Sequence, residues 1–141
     1  MESTDADADQ KSARRRAVRL LTLDGSGGLV AGVLVLALRG PIAPFYGFSL
    51  GVVTFVALAN LAYGTYSSTL ARRASRGVLP SRRAVEALIV ANACWTLVCV
   101  ALLIGTWSTA TLFGQLHIGL EGLYVLGLAL IEARYVRPLL A

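Results

Sequence analysis

Apolar residues dominate four stretches of the chain, and polar residues gather between them. The stretches run over about Val18–Leu38, Phe45–Ser67, Ala84–Ile104 and Thr111–Arg134. At a helical rise of about 1.5 Å per residue, each is long enough to cross a hydrocarbon core of about 30 Å. The pattern therefore predicts an all-α integral membrane protein, a four-helix transmembrane bundle over 18–134. Residues 1–17 read as a disordered cytoplasmic tail and 135–141 as a short cytoplasmic tail, because neither has the residues to form a core.

The connections differ in character. Arg39 to Pro44 reads as a tight turn, since its two prolines end one helix and start the next. Ser68 to Ser81 reads as a polar, arginine-rich loop, and Gly105 to Ala110 as a short turn. A basic block before the first apolar run raises the possibility of a signal peptide. Arg39-Gly40-Pro41 offers no small-x-small cleavage site, and Asp24 interrupts the approach, so an uncleaved first span is expected. That span is the least apolar of the four. Its Gly28 and Gly32 form a small-x-x-x-small pair, which lets another backbone come close.

Composition reinforces this reading. Of 141 residues, 56% are hydrophobic and 15% charged, too few charges to cover a water-facing surface. The net charge of +5 is a matter of placement. Twelve of the 13 Lys and Arg lie in the N-terminal segment, the middle loop and the C-terminus, while the other two connections hold only Arg39. The positive-inside rule then puts both termini and the middle loop in the cytoplasm. Arg72, Arg73, Arg76, Arg82 and Arg83 are expected to meet anionic lipid headgroups. They are not interleaved with aromatics, so a nucleic-acid surface is not expected.

Against this apolar background the polar residues inside the spans stand out. The fourth span carries Gln115, His117, Glu121 and Tyr124; Asp24 lies in the first, Asn60 and Tyr63 in the second, Asn92 in the third. Counting inwards puts Asp24 roughly 7–10 Å and Asn92 roughly 10 Å below the cytoplasmic boundary, with Asn60 and Tyr63 in the same half. Glu121 falls near the midplane. The spacing i, i+4, i+7, i+11 of His117, Glu121, Tyr124 and Leu128 predicts one stripe of the fourth helix. Asn60, Tyr63 and Ser67 make a similar stripe, as do Asn92, Trp95 (or Thr96) and Cys99. Asn60-x-x-Tyr63 and Glu121-x-x-Tyr124 hint at two duplicated helical hairpins. A carboxylic acid in mid-bilayer costs about 2.5–3.5 kcal/mol. The expected compensation is a hydrogen bond from Glu121 to Asn60, Asn92 or a tyrosine. The resulting candidate ligand- or proton-binding set is Asp24, Asn60, Tyr63, Asn92, His117, Glu121 and Tyr124.

Other residues suggest less. Cys94 and Cys99 are about 140° apart around a helix, which suits neither a disulfide nor a redox pair. A single histidine does not make a metal or haem site, so no cofactor is named. Glu86 reads as a first-turn capping acid, Glu132 and Arg134 as interfacial, and Trp107, Tyr135 and Tyr46 as interfacial anchors. No hydrolase, kinase or nucleotide motif is present, and no nucleophile–base pair points to an enzyme.

Leu23-Asp24-Gly25, Asn60-x-x-Tyr63-Gly64, Ala91-Asn92-x-x-Trp95 and the run from Gly114 through Glu121 to Glu132 together resemble small bacterial four-helix integral membrane proteins. The resemblance spans about Val18 to Arg134. It implies a bacterial inner-membrane location and supplies no activity. Small multidrug-resistance transporters fit less well, as their essential glutamate lies in the first helix, where this chain has Asp24. Quinone-linked thiol oxidoreductases need a C-x-x-C that is missing here. Two functions are therefore expected as alternatives. One is proton-coupled transport, or small-ligand or lipid binding, at the polar layer. The other is a non-catalytic subunit or accessory protein packed against a partner membrane protein, or a homo-oligomer.

Overall fold

A computed structural model describes residues 2–78 and 80–140; Met1 and Ala141, the extremes of the two expected tails, lie outside the described residues. The chain forms α1 (Glu2–Ala37), the short α2 (Arg39–Tyr46), α3 (Leu50–Ser75), α4 (Arg82–Thr106) and α5 (Leu112–Ile131). A π-helical turn, Glu132–Val136, and a 3₁₀ turn, Arg137–Leu140, follow without a break. Four helical segments are long and apolar enough to cross a membrane: Arg14–Ala37, Leu50–Ser75, Arg82–Thr106 and Leu112–Val136.

Local chemistry sets the ends of these helices. Ser49, Ser81 and Thr111 cap α3, α4 and α5 by accepting from the backbone N–H three residues on. The expected turn at Arg39–Pro44 is instead helical. Pro41 sits in the first turn of α2, where a missing N–H leaves no bond unmade, and the helix stops at Gly47 with φ 69°. At the far end, Pro138 cannot donate to the Arg134 carbonyl and its ring crowds that group, and the α-helical ladder gives way there.

Two antiparallel hairpins result. α1 packs along α3, and α4 along α5, while α3 and α4 scarcely touch although they are consecutive in the bundle. The α1–α3 contact is backbone to backbone. A Cβ on Gly28 would come within 3.1 Å of Asn60 O, and one on Gly32 within 2.8 Å of Leu61 N. The small pair Gly28/Gly32 is thus continued by Gly25 on α1 and answered by Gly64 on α3. The α4–α5 contact is looser and uses Gly122 against Cys99.

The hairpins meet through three apolar clusters. At the end near α2, Val35, Phe48, Val53, Val56, Cys99 and Ile118 pack together. Toward the opposite, basic end lie Leu21, Leu70 and Leu88, then Ala17, Val85 and Val136. The last cluster revises the expected tail over 1–17. α1 runs through this segment, Ala17 is buried, and Arg14 donates to Ala74 O at 2.9 Å, where a cation meets the C-terminal end of α3. Large apolar side chains cover the outside, among them Leu97 at 70% and Ile104 at 74% exposure. In water such a surface would aggregate; in a bilayer it is the solvent-matched face.

Candidate functional site

Between the apolar clusters, the interface of the two hairpins turns polar. Each spanning helix contributes at least one group, and the groups form two tiers.

The first tier centres on Glu121 of α5. Its Oε1 accepts from Asn60 Nδ2 of α3 at 2.7 Å and from Trp95 Nε1 of α4 at 2.8 Å. Its Oε2 lies 3.5 Å from His117 Nε2, one turn earlier on the same helix. The His117 ring is stacked on Tyr46, with centroids 5.1 Å apart. Tyr46, expected as an interfacial anchor, is therefore packed inward, while Trp107 and Tyr135 are exposed at opposite ends. Glu121 and Asn60 are paired as expected, but in the opposite direction: the carboxyl accepts from the amide and does not donate to it. From α4 the partner is Trp95, again a donor, and not Asn92.

The second tier lies nearer the basic end. Tyr63 of α3 donates to Asp24 Oδ2 of α1 at 2.5 Å. Asn92 Nδ2 of α4 donates to Glu132 Oε2 at 3.3 Å. Ser67, fully buried, donates to the Leu21 carbonyl and joins α3 to α1. Tyr63 and Asn92 also line one cavity. Glu132 was expected at the interface with water; it is instead fully buried.

The reason is the rotation of α5. Its buried side carries Ile118, Gly122, Val125 and Ala129, which lead on to Glu132 and Val136. That stripe is offset by one residue, or about 100°, from the predicted stripe of His117, Glu121, Tyr124 and Leu128. Glu121 still reaches the interface from the flank, at 12% side-chain exposure, whereas Tyr124 is half exposed and lies over Gly27 of α1. The small residues Gly114, Gly122 and Ala129 were the available signal for the true buried face.

Two cavities of about 310 Å³ each flank the polar layer. The first opens between α1, α3 and α5 and is lined by Asp24, Gly27, Tyr63, His117, Glu121 and Tyr124. The second opens between α3 and α4 and is lined by Tyr66, Asn92 and Trp95. Asn60, Tyr63 and Val125 line both and form the wall between them. All seven residues singled out in the sequence thus line one cavity or the other.

In comparisons with known proteins, no family model, no curated protein and no solved structure matches the chain.

What the arrangement can do follows from its charges. Asp24, Glu121 and Glu132 lie in the interior, and no Lys or Arg occurs between Arg19 and Arg39, between Leu50 and Ala71, or between Ala84 and Ala133. Among the described residues, the one basic group against these acids is His117. Three buried acceptors, Asp24 Oδ1, Asn92 Oδ1 and Glu132 Oε1, have no donor among the described residues. Each such group costs about 1–3 kcal/mol. Glu86 is explained structurally. Glu86 is not the cap of α4, a role Ser81 takes. It accepts from Arg82 and Arg137 and ties the C-terminal segment to α4.

Proposed function

We propose that this protein is a small proton-coupled carrier or binding protein of the bacterial inner membrane, with both termini and the arginine-rich loop in the cytoplasm. Its ligand is a small, partly apolar cation that enters the cavity between α1, α3 and α5 sideways from the bilayer. One observation carries the reading: Asp24 and Glu121 line a cavity of about 310 Å³ together with apolar, aromatic and neutral polar groups, and no Lys or Arg occurs in the spans to neutralise them. That volume is at the lower end of ligand pockets, which combine apolar walls with a few placed polar groups. Tyr63, Tyr124 and the glycine face of α1 supply walls, and aromatic faces attract organic cations.

Exchange of ligand for proton follows from the same groups. A cation seated between Asp24 and Glu121 replaces protons on them, and protonation on the other side releases it. The orientation rests on the distribution of Lys and Arg, and exposed Arg72, Arg73, Arg76, Arg82 and Arg83 are available to anionic headgroups.

The test is uptake of ethidium into proteoliposomes under an imposed pH gradient. Wild type is expected to drive uptake, and Glu121→Gln to abolish it while still inserting and purifying normally. Absence of uptake and of ethidium binding in the wild type would leave the rival, an accessory subunit packed against another membrane protein, as the better reading.

A further inference from the structure

The tier nearer the basic end is built of oxygens. Asp24 is 1% exposed, and Asn92 and Glu132 are 0% exposed. One oxygen of each carboxylate is used, Asp24 Oδ2 by Tyr63 and Glu132 Oε2 by Asn92. The other three acceptors, Asp24 Oδ1, Asn92 Oδ1 and Glu132 Oε1, have no donor among the described residues. They come from α1, α4 and the π-helical turn; the Tyr63 hydroxyl is bonded to Asp24, and Tyr63 and Asn92 line one cavity. The local donors are already committed: the Tyr63 proton to Asp24, the Asn92 amide to Glu132, the Ser67 hydroxyl to Leu21 O.

Its chemistry selects the guest. Carboxylate, amide and phenol oxygens, with no nitrogen or sulfur ligand, suit a hard cation rather than a soft metal. Four side-chain oxygens fall short of the 6–8 that calcium takes, and magnesium keeps several waters. A π-helical turn, the element that carries Glu132, is a recurrent feature of functional sites.

We infer that Asp24, Asn92 and Glu132, with Tyr63, hold a small monovalent cation of the sodium class, at a site separate from Glu121 and His117. It shares Asp24 and Tyr63 with the cavity beside Glu121, whereas Asn92 and Glu132 do not line that cavity, so the two readings are told apart through Asn92, Glu132 and Glu121.

The experiment uses the full chain in detergent, with Trp107→Phe so that Trp95, which shares a cavity with Asn92, reports alone. Melting temperature and Trp95 fluorescence are followed while choline chloride is replaced by sodium chloride at constant ionic strength. A saturable rise in melting temperature with sodium, absent in choline, is expected. Glu132→Gln and Asn92→Ala raise the half-saturating sodium concentration at least about tenfold. Asn92→Asp, which restores an oxygen ligand and adds charge, keeps the response. Glu121→Gln leaves it unchanged, so loss of ethidium uptake in that variant bears only on the carrier reading. The inference is overturned if sodium and choline act alike on the wild type. It is equally overturned if the sodium response survives in both Glu132→Gln and Asn92→Ala, or if acid reproduces the stabilisation without any dependence on sodium.

Discussion

Replacing Gly64 with alanine should part the first hairpin. A Cβ at this position would come 2.5 Å from Leu29 N, 2.8 Å from Gly28 C and 2.9 Å from Gly25 O. All three are backbone atoms of α1, so no side-chain rotamer can yield. Restoring ordinary contact requires α1 and α3 to separate by roughly 0.9 Å. Overpacking of this kind costs about 1–3 kcal/mol. The neighbouring Tyr63 then moves away from Asp24, and its 2.5 Å hydrogen bond is stretched beyond effective range. A buried hydrogen bond to a charged group contributes about 1.5–3 kcal/mol. The two effects together put the loss at about 2.5–6 kcal/mol. The assay is unfolding in dodecylmaltoside by added dodecyl sulfate, followed by circular dichroism. Gly127→Ala is the control, because a Cβ there meets nothing within 4 Å. It should leave stability unchanged or raise it by up to about 1 kcal/mol, the ordinary gain from removing a helical glycine. Equal unfolding midpoints for Gly64→Ala and Gly127→Ala would refute the close α1–α3 packing and the reasoning built on it.

Three further outcomes follow from the same geometry. Trp95→Phe removes one of the two hydrogen bonds to Glu121 Oε1 and should cost about 1–2 kcal/mol in the same titration, less than additively with Glu121→Gln; full additivity would mean that the two side chains do not interact. A small neutral thiol reagent should label exposed Cys94 in detergent and reach buried Cys99 only on unfolding, so that Cys94→Ser brings labelling of the folded protein to background. Glu86→Gln should leave the unfolding midpoint close to wild type, because the group is exposed, yet speed hydrogen exchange over residues 132–140 by freeing Arg137; unchanged exchange there would show that the contact does not hold the segment.

Length and composition alone determine that this chain crosses a membrane, and roughly where. Runs of about 20 apolar residues are unmistakable, since a soluble protein of this size has no use for them. The presence of polar groups in every span was equally legible, and so was the agreement in depth of Asp24, Tyr63 and Asn92, because helical rise is fixed; Asn60, expected with them, belongs to the tier of Glu121. Which way each helix faces was decided only in the tertiary structure. In water an apolar stripe marks the core, but lipid is as apolar as the core, so the contrast that reveals a buried face disappears. α5 shows this: it exposes Leu112, Leu116, Leu120, Leu123 and Leu130 and buries Gly114, Gly122, Ala129 and Glu132. Reading its polar residues as the inner stripe placed His117 and Tyr124 at the centre of the buried face, where only Leu128 of that stripe is fully packed, and Glu132 was read as interfacial from its depth near the cytoplasmic end. The partners were hidden for the same reason. Asn92 pairs with Glu132 and Trp95 with Glu121 because close glycine packing within each hairpin fixes the rotation of all four helices, and no single helix carries that information by itself.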